Sequence, residues 1–454
     1  MLVLEYLRRA RRMTPEIEMK AVEYINLGYQ RLLNFEVDGG GFDWYGNPPA
    51  NLVLSAYGLV EFTDMAKVYE IDGRIIERTQ KWILSKQEAD GRWKPEARMP
   101  YSWAGVAGDY IVTAYVAWAL AESGYGETKA LTWLKDNMDE APNAYAKALA
   151  ANALLEVDPK DSEGLAILKD LAGEMKDGGV ENADQTLYFA QGNAAAIETT
   201  ALVALAMMKT PEYPTQVNEA LEYLVSKKDA RGTWGSTSAT ILCLKALIRG
   251  LGGLEQKGTV KLAVTVNGEV RHVEITPEQA DVMQILEFGA KTGGNEVSIE
   301  VEGESNMMYQ LVARHYAPWG GETEEIKPLE IEVAYDKTQL STDDVLKADV
   351  RMKYNGAGQT FMVIVDLGIP PGFIVDTTGF EKMVAEGRID KFATTARQIT
   401  LYFGKVSPGQ EEKFSYELYP KFPIKAKTPK SEAYLYYSPD QRAEAKPVEV
   451  EVRK

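Results

Sequence analysis

A Gly-aromatic loop, a helix of small residues and a charged helix recur along the first 252 residues, and this alternation narrows the fold more than any other feature of the chain. The loop Gly39-Gly40-Gly41-Phe42-Asp43-Trp44 leads into LVLSAY at 52–57, and Gly91-Arg92-Trp93 leads into VTAYVA at 112–117. Ala-rich stretches follow at 144–150 and 194–201, and Gly232-Thr233-Trp234-Gly235 opens another helix that runs through Leu247. Val3-Leu4 and Tyr6-Leu7 give the opening segment helical spacing, and Thr14-Pro15-Glu16 is a cap followed by Pro at a first helical position. Small side chains let neighbouring backbones approach, so the Ala-rich helices are inner ones. Helices charged on one face, near 80–86 and 219–227, are outer ones. Six inner and six outer helices make an α/α toroid. The repeat also shows in letters: SKQEADGRW at 85–93 recurs as SKKDARGTW at 226–234. In each, Gly supplies a left-handed turn at a helix end and Trp wedges into the next layer.

The pattern changes near residue 252. Residues 256–318 are strand-like, with alternation at 260–266, 297–301 and 309–313, and Asn267-Gly268 is a two-residue hairpin turn. So few strands leave the edges of a small sheet uncovered. An acidic, Gly-containing linker at 318–325 precedes a separate unit at 326–454. There, strands are expected at 329–335, 345–354, 360–367, 398–403, 412–417 and 433–437, with a helix at 378–386. This is a β-sandwich carrying one helix.

Composition excludes several functions. With 50 Lys+Arg against 67 Asp+Glu the net charge is −17, and an acidic surface repels nucleic acid. The longest uncharged apolar run, 110–121, is too short to span a bilayer, and the opening residues have no signal-peptide pattern. One cysteine, Cys243, and two histidines, His272 and His315, leave no internal disulfide framework, no His/Cys zinc site and no nucleophile-histidine pair. No metal or cofactor is expected. Two features nevertheless suggest catalysis. Gln87-x-x-x-Gly91-x-Trp93 matches the Gln-Trp repeat of triterpene cyclases, which also use toroids, but the clustered aspartates of such enzymes are missing from the helical half. Cys243 sits among Ile241, Leu242, Leu244 and Leu247 with no histidine nearby, the setting of an inert buried thiol.

Several motifs in order carry a resemblance. Val3-Leu4-Glu5-Tyr6-Leu7, then LGYQRLLN at 27–34, resembles the start of the thioester domain of the alpha-2-macroglobulin family, which includes the complement thioester proteins. Ile197-Glu198-Thr199-Thr200-Ala201-Leu202 resembles its Val-Glu-x-Thr helix without the family's Tyr, and Gly235-Ser236-Thr237-Ser238-Ala239-Thr240 resembles the opening of its last helix. Val363-Ile364-Val365-Asp366, Pro371-Gly372-Phe373-Ile374, Lys405-Val406-Ser407 and Tyr434-Leu435-Tyr436-Tyr437 resemble the receptor-binding domain. The resemblance runs from Met1 to Lys454.

It implies a thioester-type toroid at 1–252, the second half of a CUB domain at 256–318 and a receptor-binding-type macroglobulin sandwich at 326–454. The family's Cys-x-x-Gln thioester motif would precede the opening helix, so this chain reads as a C-terminal fragment of a longer macroglobulin, or as a relative without the motif. Cys243 is no substitute, because no Gln stands three residues on. The implied function is protease trapping: a protease cuts a bait region, the molecule rearranges, and the exposed thioester couples to a surface amine. A scaffold of the same fold without a thioester and an isoprenoid-processing toroid are the alternatives. Partners would be target proteases, through the full-length parent, and the rest of the macroglobulin chain. The location would be extracellular, periplasmic or cell-envelope. Aromatic residues that would shield the thioester are Tyr101 and Trp103 from a toroid loop and Tyr434, Tyr436 and Tyr437 from the sandwich, with Tyr437 favoured for the interface. Animal relatives present two lysines one turn apart to a receptor; here Lys382 matches one and Thr378 replaces the other, with Arg388 and Lys391 further along. Some complement relatives use a toroid histidine to redirect the thioester to hydroxyls. The loop at 99–105 has no histidine, nor has any of 1–252, so the expected acceptor is an amine.

Overall fold

The computed structural model describes residues 1–9, 13–95, 108–181, 186–229, 232–251, 258–279, 284–303, 309–314 and 328–454. Tyr101, Trp103, the rest of the 99–105 loop, His315 and the 318–325 linker lie outside the described residues.

Eleven helices fill the first 251 residues among those described: α1 (Leu2–Arg9), α2 (Pro15–Leu33), α3 (Leu52–Ala66), α4 (Arg74–Leu84), α5 (Asp109–Glu122), α6 (Thr128–Asp136), α7 (Ala144–Val157), α8 (Ser162–Glu174), α9 (Gly192–Met207), α10 (Pro214–Ser226) and α11 (Thr237–Leu251). The odd-numbered helices from α3 to α11 pack side by side as an inner ring that α1 joins beside α11, and α4, α6, α8 and α10 cover it from outside, while Leu4 of α1, Ile25 and Tyr29 of α2 and Phe62 of α3 share a second core. The sequence explains the sorting. Every residue of α5 from Tyr110 to Ala121 is buried, as suits a helix apolar all round. In α4 only Ile75, Thr79 and Ile83 are buried, one stripe at a spacing of four. The ring thus has six inner and five outer helices among the described residues. The expected sixth outer helix is not among them, because the chain leaves α11 towards strands. Short strands β1 (Glu36–Val37) and β2 (Gly41–Phe42) pair in the loop before α3.

The two letter repeats form one lock used twice. Trp93 donates its indole N–H to the Ile83 carbonyl (2.9 Å), and Trp234 donates to Leu224 (2.6 Å). Their backbone N–H groups donate to threonine hydroxyls of the next inner helix, Thr113 (3.0 Å) and Thr240 (3.2 Å). Both indoles are buried, as expected of wedges.

Charge collects near the C-terminal ends of the inner helices. Lys245 of α11 lies 2.6 Å from Asp64 of α3, both buried. Arg249 reaches Glu122 of α5 at 3.0 Å, and Lys209, just past α9, joins Glu122 to Glu156 of α7. Burial would raise the Glu122 carboxyl, but the Arg249, Lys245 and Lys209 charges outweigh it and hold it at about 2.

After the ring, β3 (Val260–Val266), β4 (Glu269–Ile275) and β5 (Val297–Glu302) form an antiparallel sheet in the order β4-β3-β5. Asn267 (φ 53°) and Gly268 (φ 90°) make the expected tight turn. The strand expected at 309–313 is not formed. These residues pair with no ladder, and Tyr309, Leu311 and Val312 are exposed. Instead, Gln310 donates to the Lys228 and Asp229 carbonyls (3.0 and 3.3 Å), tying the segment to the ring.

The C-terminal unit contains β6 (Leu329–Tyr335), β7 (Gln339–Ser341), β8 (Leu346–Tyr354), β9 (Thr360–Gly368), β10 (Phe373–Val375), α12 (Thr378–Ala385), β11 (Lys391–Thr394), β12 (Gln398–Val406), β13 (Glu411–Pro420), β14 (Ile424–Lys427), β15 (Ser431–Leu435), β16 (Ser438–Ala445) and β17 (Glu449–Arg453). A sheet ordered β10-β13-β8-β6 faces one ordered β11-β12-β9-β15-β16, and a third, β14-β17-β7, closes one side. Their inner faces share one core with Phe380 and Met383 of α12. The expected strand at 433–437 ends earlier, at Leu435. Leu435 pairs with Ser438 in a hairpin, so Tyr436 and Tyr437 form its two-residue turn.

Candidate functional site between ring and sandwich

The sandwich docks on the ring beside the first turns of α9 and α11. The loop before α9 is a tight turn. Phe189 donates its N–H to the Thr186 carbonyl (3.0 Å), and Thr186 donates to Ala190 (3.1 Å). The turn sends successive side chains opposite ways. Tyr188 enters the ring, its hydroxyl 2.5 Å from that of Tyr115 and its ring edge-on to Tyr57. Phe189 leaves it and stacks on Phe361 of β9, centroids 4.4 Å apart, with Tyr437 at 6.1 Å. Phe361 and the partly buried Met362 and Tyr437 join the core of the ring, not that of their own sandwich. Tyr436 stands edge-on to Tyr437 at 5.1 Å, and its N–H donates to the Met362 carbonyl. A polar bond also crosses the contact: the Gln191 N–H at the α9 cap donates to the Ser438 hydroxyl (3.1 Å), and Ser438 is buried. Gly235, ahead of α11, lies against Pro439; a Cβ there would sit 3.2 Å from the proline ring.

Two non-glycine residues at this contact occupy the left-handed region, Phe189 (φ 62°) and Met362 (φ 58°). A bulky side chain there costs roughly 1–2 kcal/mol. Such strain persists only where surrounding contacts over-determine it. Here the stack on Phe361 and the hairpin seated on Met362 do so.

Beneath the contact lies Glu198 of α9, 1% exposed. The Ser236 hydroxyl donates to its Oε1 at 3.4 Å, and the Thr186 and Ser238 hydroxyls also bond the carboxyl. Its Oε2 has no partner. Burial pushes this carboxyl up to about 7, against the pull of the three hydroxyls. Cys243 is fully buried, and burial, aided by the Glu198 charge, pushes its thiol well up, so it is neither a nucleophile nor reachable.

The sequence candidates separate clearly. Tyr437 reaches the ring. Tyr434 bonds Asp366 within its own sheet, and Tyr436 is 42% exposed at the turn tip. Lys382 is solvated and 3.7 Å from Glu386. Arg388 is engaged by Glu412 and the Lys413 carbonyl (both 2.9 Å), and Lys391 lies over the Tyr402 ring (4.4 Å). Sequence reasoning did not single out Phe189, Phe361, Met362 or Ser438. Phe189 sits in a turn before α9, Phe361 and Met362 lie at the start of β9 and Ser438 begins β16, so nothing in their local sequence pattern sets them apart. No group of His, Cys, Asp or Glu among the described residues is placed to hold a metal, and none of their helices is long and apolar enough to cross a membrane.

A helical ring whose end is closed by a docked sandwich hairpin defines a two-domain class of protein. Residues 1–249 match the A-macroglobulin TED domain, and 358–447 match the A-macroglobulin receptor binding domain, so the chain belongs to the alpha-macroglobulin family. It is similar to complement C3 of Oncorhynchus mykiss (22% identical, 88% of this chain and 26% of that protein) and to ovostatin of Gallus gallus (21%, 98% and 32%). The chain therefore spans about a quarter to a third of the length of these relatives. Among solved structures it resembles native alpha-2-macroglobulin from Escherichia coli spanning domain MG7 to the C-terminus (TM-score 0.66, 15% identical, 96% of this chain and 68% of that one). It also resembles Salmonella alpha-2-macroglobulin reacted with methylamine (TM-score 0.65, 14% identical, 97% and 28%).

Proposed function

We propose that this chain is the C-terminal portion of a macroglobulin that traps proteases after bait cleavage, with its thioester Cys and Gln supplied from outside these residues. The observation that carries the reading is the sealed contact of Phe189, Phe361 and Tyr437 at the ring end, with strained backbone on both sides. A thioester survives only where water is excluded, and a dry aromatic contact that opens when the sandwich departs supplies that protection. Tyr437 is the shielding residue contributed by the sandwich. The sheet β4-β3-β5 is half of a CUB domain completed by preceding chain, which accounts for its open edges. The same reading places the protein outside the cell or in the cell envelope. The solvated Lys382 is the side chain of the candidate set best placed to meet a receptor.

Once exposed, the thioester carbonyl is attacked by an amine nitrogen; a C–N bond forms, the C–S bond breaks, and the amine proton passes to the leaving thiolate. No histidine occurs in residues 1–252 to form an acyl-imidazole first, so the acceptors are lysine amines, not hydroxyls. The test treats the full-length parent with a protease in the presence of labelled methylamine or labelled glycerol. Methylamine alone should be incorporated. Comparable glycerol incorporation refutes amine selectivity, and incorporation of neither points to a scaffold without a thioester. The present chain by itself should gain no methylamine mass.

A further inference from the structure

We propose that Glu198 is a proton latch for the docked sandwich: it must be neutral for the sandwich to sit on the ring, and its ionisation releases the hairpin. The geometry places an acid with one unpartnered oxygen in a closed space whose lid is the other domain. Glu198 lies on α9, seven residues beyond the cap that bonds Ser438. Its partner Ser236 is buried next to Gly235, which touches Pro439. Phe189, Phe361 and Tyr437 cover the same end of the ring. When the hairpin leaves, Tyr437, Ser438 and Pro439 leave with it, and water reaches the carboxyl.

Among the described residues, the surroundings offer no charge to stabilise an anion. The ionisable groups that feel Glu198 are Tyr115 of α5, Tyr145 of α7, Cys243 of α11 and Tyr437 of the hairpin, all acids that are neutral when protonated. Hydroxyls of Thr186, Ser236 and Ser238 face it from the turn and from the start of α11. No Lys, Arg or His among the described residues is part of this set; Lys245, further along α11, is taken by Asp64. A buried carboxylate without a cation is costly, and the cost disappears if the site opens to water.

The linkage has a definite sign. Docking raises the Glu198 carboxyl above its hydrated value, so the proton favours the docked state. That contribution is complete below the hydrated value and is lost as pH rises through about 7. One proton makes the undocking constant rise about tenfold per pH unit between the hydrated value of 4.5 and about 7 and level off above it, hence about tenfold between pH 6 and pH 9.

The test uses the full chain with donor and acceptor dyes on cysteines introduced at the exposed Lys160 and Lys446, the native Cys243 being buried. Urea-induced loss of energy transfer is followed at pH 6 and pH 9. The unsubstituted chain should separate at lower urea at pH 9, and Glu198→Gln should separate at the same urea at both. A native midpoint that does not move, or a Glu198→Gln midpoint that still falls, overturns the latch. Infrared titration of the protonated carboxyl band provides a check if Glu198→Gln folds poorly. In the doubly substituted F361A/Y437A chain, the Glu198 band should titrate at least one pH unit lower than in the native chain. An unshifted band would overturn the proposal as well.

Discussion

Phe189 of the ring and Phe361 of the sandwich stack with centroids 4.4 Å apart, and a left-handed backbone lies at Phe189 itself and at Met362, next to Phe361. Each partner holds the other's strained backbone in place, so the contact should behave as one unit. Phe361→Ala should cost about 3–5 kcal/mol of docking, the range for deleting a buried Phe. Amide exchange at Gln191 and Tyr436, whose N–H groups bond across and under the contact, should accelerate while exchange in α5 and α7 stays slow. Tyr436→Ala, at the exposed tip, should change exchange little. Equal effects of both substitutions would argue against the stack as the seat of docking.

The repeated tryptophan lock predicts matched outcomes at two sites far apart in sequence. Trp93→Phe and Trp234→Phe each keep an aromatic wedge but remove the indole hydrogen bond to the Ile83 or Leu224 carbonyl, which keeps the N–H of Lys86 (3.0 Å) or Lys227 (3.2 Å). Each should lower stability by about 0.5–1.5 kcal/mol, the net value of one hydrogen bond, and alanine at either site by about 3–5 kcal/mol. Urea unfolding of the four variants tests this. A Phe variant as stable as the native chain would mean that the indole hydrogen bond adds nothing to the lock.

The ring was legible because its signals are local. Ala-rich runs, a Pro at the start of α2, and paired Gly-x-Trp motifs mark helix positions without reference to anything distant. The hairpin at Asn267-Gly268 was legible for the same reason. The strands missed in the sandwich, β7, β10, β11, β14, β16 and β17, are short or strongly charged; β10 is FIV, β14 is IKAK and β16 is SPDQRAEA. They hold their places by pairing with longer neighbours, a tertiary cause that leaves little local trace. The strand expected at 309–313 failed for the converse reason, alternation without a partner. At the interface, Tyr437 could be singled out as an aromatic residue next to a turn. Phe189 and Met362 could not, since nothing in their side chains announces a left-handed backbone.

Lys245 and Asp64 predict a large asymmetry between breaking and replacing a buried ion pair. Lys245→Met strips the buried Asp64 of this partner, with the more exposed Lys67 still at 2.8 Å, and should cost about 3–5 kcal/mol. Adding Asp64→Leu removes the stranded charge and should restore much of that loss. Thermal unfolding of the two single variants and the double variant forms the cycle. Additive losses would show that the pair is not coupled.

Glu122 sets the acid limb of stability. It is buried, and Arg249, Lys245 and Lys209 hold its carboxyl at about 2 against the burial that would raise it. A carboxyl held below its unfolded value stabilises the native state above that unfolded value. The contribution fades as pH falls towards the folded value, so the working window runs from about pH 5 down to about pH 2. A displacement from the ordinary value of 4.5 to about 2 corresponds to about 3 kcal/mol at neutral pH. Glu122→Gln keeps the shape, removes the charge and leaves Arg249 and Lys209 with one partner fewer. At pH 7 the variant should be about 3 kcal/mol less stable than the native chain. The gap should narrow through pH 4 and nearly vanish as pH approaches 2, where the native carboxyl is itself protonated. Urea unfolding at pH 7, 5, 4 and 3 measures the gap directly. A gap that stays constant across this series would mean that the cost of Glu122→Gln comes from packing and not from charge.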